Sequence, residues 1–337
     1  MVGPRNIDEL HEMASRPSRE VVAAMQCVDS DILVVGAGGK MGFHLSRMLH
    51  RALTELPSKH RVIAVSRFGS AGATDLFAQF GIDTIRADLT QPAAIAGLPR
   101  SNNLIYLAGV KFGTSANPEL LEQLNVVLPS RIGQRFADAR IVALSTGCVY
   151  AFTTPASGGS TESDPLTPPG DYAISCIGRE QAFARCGART SLIRLNYSID
   201  LRYGVLVDLA QKVLRQQPID LTTGFFNVIW QGDANAYILQ ALARAAVPPF
   251  VVNVTGREVL RVRDVATRFG EIFDKEVTFT GTEAETAWLS NARKSHALWG
   301  APTVSEDDLI TWVATWLQAG GATLNKPTQF EVRDGTY

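Results

Sequence analysis

The stretch Gly36-Ala37-Gly38-Gly39-Lys40-Met41-Gly42 has the residue types and spacing of a phosphate grip. It follows the apolar run Ile32-Leu33-Val34-Val35 and opens a segment in which Met41, Leu45, Met48, Leu49, Ala52 and Leu53 recur at helical spacing. Strand, glycine turn and helix in that order begin a dinucleotide fold. One glycine permits the tight turn, one lets the backbone approach a pyrophosphate, and one lets helix and strand pack closely. The helix N-terminus then aims N–H groups and a partial positive charge at the phosphates. A glycine-rich turn in some other α/β protein is the alternative, and the order and spacing speak against it. The next apolar run ends Val65-Ser66-Arg67. An acidic residue there would accept from a ribose 2′-hydroxyl. Ser66 removes that charge and Arg67 can pair with a 2′-phosphate. NADP is therefore the expected cofactor. NAD is the alternative if Arg67 is only a solvated turn residue.

Elements must hold these residues in place. Strand candidates are Ile32 to Val35, Val62 to Val65, Thr84 to Arg86, Leu104 to Leu107, Ile141 to Leu144, Leu192 to Leu195 and Val251 to Val254, with helical stretches between most of them. That alternation predicts an α/β protein: a Rossmann-type, doubly wound parallel sheet with a smaller interleaved C-terminal substrate lobe. Residues 1–28 read as a helical N-terminal extension, interrupted at Pro17-Ser18, where the serine can cap a second short helix. Residues 29–197 read as the nucleotide-binding domain, completed by later strands at about 228–255. Residues 198–227 and 256–318 read as the substrate lobe, in which Leu309, Ile310, Val313, Trp316 and Leu317 share a packing face. Phe152 to Asp171 reads as a long loop, a kind that is often functional. The tail 319–337 lacks periodicity and is expected to be extended or mobile.

Composition narrows the class. A chain of 337 residues with 46% hydrophobic content has the make-up of an ordinary globular protein. A formal net charge of −1 gives no basic stripe, so no nucleic-acid partner is expected. No segment approaches the ~20 apolar residues of a membrane span, and the charged N-terminus is unlike a signal peptide. Cys27, Cys148, Cys176 and Cys186 have neither metal spacing nor a dense disulfide pattern. A reducing cytoplasm and no metal are expected.

From about Ile32 to Leu317 the chain resembles the extended short-chain dehydrogenase/reductase superfamily, in its NAD(P)-dependent epimerase/dehydratase branch. Gly36, Gly39 and Gly42, with Lys40 and Met41 between them, fit that branch's loop. Asp88-Leu89 is similar to its adenine-contacting pair, and Leu107-Ala108-Gly109 matches the fourth-strand motif that passes the cofactor. Lys111 stands where some sugar epimerases carry a lysine near the cofactor, and Asn125 resembles the family's helix asparagine. Leu144-Ser145-Thr146-Gly147-Cys148-Val149-Tyr150 resembles the active-site stretch, with Thr146 in the place of the catalytic Ser or Thr and Ser145 beside it. A strand-end Ser-Thr pair that merely satisfies backbone groups is the alternative.

Asp171-Tyr172-Ala173-Ile174-Ser175-Cys176 carries the family's tyrosine, with Cys176 where the family has lysine. In the family that lysine holds the cofactor ribose and lowers the tyrosine pKa. Unaided, a tyrosine near pKa ~10 is phenolate in roughly one molecule in a thousand at pH 7. Three readings stay open. Tyr172 can still donate a proton, another cation such as Lys111 can substitute, or the site is silent. Packing is the expected role of Cys176 and Cys148.

Ile193-Arg194-Leu195-Asn196-Tyr197 resembles the sixth strand and its substrate-facing exit. Tyr172 and Asn196 thus join the expected cofactor contacts. Ser290 to Lys294 resembles the C-terminal segment that covers the substrate lobe. Phe225-Phe226-Asn227 occupies a stretch where nucleotide-sugar enzymes commonly place an arginine on the diphosphate, which turns the expectation away from a nucleotide sugar. Arg202 and Arg261 are candidate replacements. The expected function is NAD(P)-dependent hydride transfer on a small sugar-like or hydroxy/keto substrate, with Thr146 orienting an oxygen and Tyr172 exchanging its proton. The alternative is a catalytically weak NADP-binding sensor or scaffold. The resemblance implies a homodimer through the helices following Pro118 and Tyr172.

Overall fold

Uninterrupted apolar runs form strands buried on both faces, and such runs build the central sheet. The computed structural model describes residues 1–70, 72–111 and 117–335. The strands are β1 (Ile32–Val35), β2 (Val62–Ser66), β3 (Asp83–Arg86), β4 (Asn103–Tyr106), β5 (Arg140–Thr146), β6 (Arg189–Leu195) and β7 (Phe250–Val254). They form one seven-stranded parallel sheet in the order β3-β2-β1-β4-β5-β6-β7. The order reverses between β1 and β4, and the crevice outside that switch point is where doubly wound sheets bind ligands.

Helices cover both faces: α1 (Ile7–Ala14), α2 (Arg19–Ala24), α3 (Gly42–Thr54), α4 (Asp75–Gln79), α5 (Pro92–Ala96), α6 (Pro118–Glu122), α7 (Leu128–Arg135), α8 (Asp171–Arg185), α9 (Val205–Leu214), α10 (Gln231–Gln240), α11 (Val262–Phe273), α12 (Arg293–Trp299) and α13 (Glu306–Gln318). Strand alternation divides the core in two. Ile32, Val34, Ala64 and Ile105 meet Leu45 and Met48 of α3 and Ile238 of α10 on one face. Leu33, Val35, Val65 and Tyr106 meet Ile132 of α7 and Phe183 of α8 on the other. A third core belongs to the lobe and joins α9, α11 and α13. Ser18 caps α2 by accepting from the Val21 N–H.

Both chain ends are built into this frame. Leu10 and Ala14 of α1 sit in the lobe core, whereas Val21 of α2 sits in the sheet core. Among the described residues the tail from 319 forms no helix or strand, but it is not loose. Phe330 is 1% exposed in the lobe core against Phe226. The Thr328 N–H and hydroxyl donate to Asp208, Lys212 pairs with Glu331, and Arg333 donates to the Thr286 carbonyl. One aromatic anchor and a few polar ties fix this segment, and none of them leaves a periodic signal. Thr336 and Tyr337 lie outside the described residues.

The tail's contribution to stability is directly measurable. Phe330→Ala is expected to destabilise the fold by about 3–5 kcal/mol in chemical denaturation. A loss under about 1 kcal/mol, within the range of surface substitutions, would mean that the tail is merely laid on the surface.

Candidate active site

The parallel strands end their carboxyl termini at one edge of the sheet, and the site is built there. Gly36 turns out of β1 with φ +88° and sits against the segment after β4, where a Cβ would stand 2.5 Å from the Ala108 nitrogen. A Cβ on Gly38 would meet the Ser66 hydroxyl at 2.6 Å, and one on Gly42 would overlap the Ala37 carbonyl. Met41 precedes α3 and gives it no side-chain cap, which leaves amides of its first turn without a side-chain partner. This is a cradle that only glycine permits, ending on a helix N-terminus. It fits the pyrophosphate of a dinucleotide.

Two cavities meet at the turn and share Gly36, Gly38, Gly39, Leu107 and Gly109. The smaller, of about 270 Å³, is walled by Ser66, Arg67, Asp88, Leu89 and Ala108. Asp88 is turned toward its own loop, accepting from the Thr90 N–H at 3.1 Å and the Thr90 hydroxyl at 2.9 Å. The larger, of about 700 Å³, is walled in part by Lys40, Met41, Gly42 and Lys111 and by Ser145, Thr146, Tyr172 and Asn196. The expected cofactor contacts, with Ser145, Thr146 and Tyr172, therefore line one continuous groove.

Helix α8 is fastened to the sheet by two successive buried charges. Arg179 donates to the Leu144 carbonyl at 3.0 Å and to Asn125 Oδ1 at 2.6 Å. Asn125 accepts from the Val110 N–H, returns a hydrogen bond to the Val110 carbonyl and donates to Ser175, fixing the chain from Gly109 to Lys111. A Cβ on Gly109 would overlap the Arg179 guanidinium. Glu180 accepts from Arg194 at 2.7 Å and from the Ser145 hydroxyl at 2.5 Å. Arg194 also donates to the Tyr150 hydroxyl, which donates to Asn253. The hydroxyl hydrogen of Ser145 is thus committed to Glu180. Thr146 accepts from the Cys148 N–H at 3.2 Å and keeps its O–H as a donor.

Tyr172 stands in the first turn of α8, within hydrogen-bonding reach of the buried Cys176 thiol. Burial pushes its phenol well above the ordinary tyrosine range. The Cys176 and Cys148 thiols act in the same direction, while Arg179 pulls the other way. The Lys111 ammonium lies 5.8 Å from the Tyr172 ring centre. Its own pKa is lowered by burial and raised slightly by Cys148 and Cys176. Two cations, the half-buried Lys111 and the buried Arg179, thus lie near Tyr172, where Cys176 supplies no charge. Arg179 was not singled out from the sequence. Its signal is its register, seven residues beyond Tyr172 and three beyond Cys176 on one helix face.

Residues of the lobe and of both chain ends complete the larger cavity. Asn196 donates to Asn227 at 2.7 Å and to the Trp288 carbonyl at 3.2 Å, and Asn227 donates to the Ser290 carbonyl. Arg202 lines the cavity paired with Asp200. Arg261 does not reach the cavity, because it lies on the surface with Glu283 and is no replacement for a diphosphate-binding arginine. His11 of α1 also lines the wall, a contribution the sequence did not suggest. His44 Nδ1 donates to Gln231 Oε1 at 2.8 Å, so His44 Nε2 accepts from His11 Nδ1 at 2.8 Å. Burial, with the neighbouring His44 and Arg202, pushes His11 down to about 4 and keeps it neutral at pH 7.

Residues 32–193 match the NAD dependent epimerase/dehydratase family. No curated protein sequence matches. Among solved structures the chain is similar to MoeE5 in complex with UDP-glucose and NAD, at 18% identity and a TM-score of 0.67, covering 86% of this chain and 98% of that one. It is similar to UDP-glucuronic acid 4-epimerase from Bacillus cereus in complex with UDP-glucuronic acid and NAD, at 17% identity and a TM-score of 0.67, covering 86% and 99%. It is also similar to DesIV, a dTDP-glucose 4,6-dehydratase from Streptomyces venezuelae with NAD bound, at 20% identity and a TM-score of 0.70, covering 86% and 97%. These likenesses extend the shared fold well beyond the matched segment.

The fastening of α8 makes a measurable statement. Glu180→Ala leaves the Arg194 guanidinium buried without its carboxylate, and a loss of about 3–5 kcal/mol is expected in denaturant unfolding. An unchanged midpoint would show that this pair does not hold the helix.

Proposed function

Residues 32–193 match the NAD dependent epimerase/dehydratase family, and we propose that this chain is an enzyme of that family that moves a hydride between a nicotinamide dinucleotide and an oxygen-bearing carbon of a small sugar-like substrate. The observation that carries this reading is the convergence of Thr146, Tyr172 and the glycine cradle on one continuous groove. When bound, the cofactor supplies the hydride acceptor or donor. The chain's own residues bind, orient and protonate. Amides of the Gly36–Gly42 turn and of the first turn of α3 hold the pyrophosphate. Asp88 and Leu89 flank the adenosine end. The Thr146 O–H orients the substrate oxygen, and Tyr172 passes the proton held on its phenol oxygen to that atom. Ser145 acts at one remove, positioning β5 through Glu180.

Direction follows from the electrostatics. A half-buried phenol beside thiols keeps its proton, so the proton-donating form of Tyr172 is the abundant one. Reduction of a carbonyl uses the abundant form, and oxidation of an alcohol needs the scarce one. Ser66 and Arg67 at the adenosine end support NADP over NAD. Phe226 is consumed in the lobe core and Asn227 in the Asn196–Ser290 network, which supports a substrate smaller than the sugar nucleotides bound in the neighbouring structures. Ile174 of α8 is 55% exposed, which supports a homodimer along that helix.

Three measurements test this reading. Tyr172→Phe is expected to lower kcat about 10²–10⁴-fold over a panel of sugars, sugar acids and ketones, with cofactor affinity nearly unchanged. The wild-type reduction rate is expected to stay flat across roughly pH 6 to 9, with oxidation rising steadily over the same range. Tight NADPH binding without turnover of any panel member would instead support a sensor. For the cofactor, Arg67→Ala is expected to weaken NADPH by about tenfold or more and to leave NADH unchanged. Equal wild-type affinities for the two would contradict NADP preference.

A further inference from the structure

The larger cavity is asymmetric in charge. Its lining carries Lys40, Lys111, Arg202 and Lys326 and, among the described residues, no aspartate or glutamate. Arg202 is neutralised locally by Asp200. The Lys40 ammonium leaves the glycine turn and lies 3.2 Å from the centre of the Tyr203 ring, on the wall formed by the lobe. Lys326 arrives from the C-terminal tail. The tail is pinned on both sides of it: the Leu324 N–H donates to the Arg202 carbonyl at 2.9 Å, and the Thr328 N–H and hydroxyl donate to Asp208 at 2.7 and 2.6 Å. Lys326 is thus presented at the cavity by an anchored strap, not by a loose end.

We propose that Lys40 and Lys326 form a subsite for an anionic group, a carboxylate or a phosphoryl group, carried by the substrate. The inference rests on the substrate occupying this end of the cavity under the function proposed above. The cofactor's pyrophosphate is answered by the turn amides and the helix N-terminus. Neither the tail nor Tyr203 belongs to that cradle. Burial, with Lys326 and Lys111 nearby, pushes Lys40 down to about 8, with Asp208 opposing. Like charges gathered in a partly dry cavity repel one another, and an incoming anion relieves that repulsion. Charge-assisted hydrogen bonds from two ammonium groups then fix one end of the substrate.

The test reads binding, so a failure of anion recognition and a failure of hydride transfer are separate results. Protein saturated with NADP or NAD is titrated with glucuronate, glucose 6-phosphate and glucose, followed by saturation-transfer NMR. Wild type is expected to bind at least one of the two anions about tenfold or more tightly than glucose. The anion that gains most identifies carboxylate or phosphoryl recognition. Lys326→Gln is expected to remove most of that preference while leaving cofactor affinity unchanged, and Lys326→Arg to restore it. Three outcomes overturn the proposal: no preference for either anion in wild type, a full preference retained in Lys326→Gln, or a parallel loss of cofactor affinity in that variant. The last would assign the lysines to the cofactor.

Discussion

The site depends on how α8 is tied to the sheet. A helix carrying Tyr172 is useful only if its first turn is held still over the ends of β4 and β5. Two adjacent buried charges do this. Arg179 reaches the Leu144 carbonyl and Asn125, and through Asn125 the chain from Gly109 to Lys111. Glu180 is held by Arg194 of β6 and receives Ser145 of β5. Breaking a buried pair is expensive because the remaining partner stays buried and charged. Tyr172, through Ser175 and Asn125, and the chain from Gly109 to Lys111 are therefore coupled through one network.

That network also bears on the missing lysine. Cys176 occupies the helix position one turn beyond Tyr172 and gives it a neutral neighbour. Positive charge is still near, from Lys111 and Arg179. It is set against burial and two thiols, and the net effect leaves the phenol protonated. The proton-donating form of Tyr172 is thereby the populated one. A tyrosine base would need a cation strong enough to reverse that balance.

Much of the sheet was legible because its strands are short, continuous apolar runs, such as Ile32–Val35 and Val62–Ser66, separated by amphipathic helices. The glycine turn was legible because each of its close approaches requires the missing side chain at a fixed spacing. The lobe was read only in outline, since its sheets consist of two-residue strands that carry no period. Arg179 was hidden because a charged residue on a helix usually reads as solvated, and only the folded chain brings Leu144 and Asn125 to meet it. His11 and Lys326 were hidden for another reason. They come from the two ends of the chain, far in sequence from the turn whose cavity they join, and Phe330 alone gives little sign that the tail is anchored.

These elements describe one groove along the Gly36–Gly42 turn, walled by Ser66 and Arg67 on one side and by Thr146 and Tyr172 on the other, for which we propose a phosphate cradle, an adenosine end and a proton donor in that order. A crystal structure of the complex with NADP tests this most directly. The account expects the 2′-phosphate beside Ser66 and Arg67, the pyrophosphate on the Gly36–Gly42 turn, and the nicotinamide beside Tyr172 and Thr146, with room for a reacting carbon at about 3–3.5 Å. A nicotinamide lying away from Tyr172, or an adenosine end outside the Ser66–Asp88 wall, would contradict it.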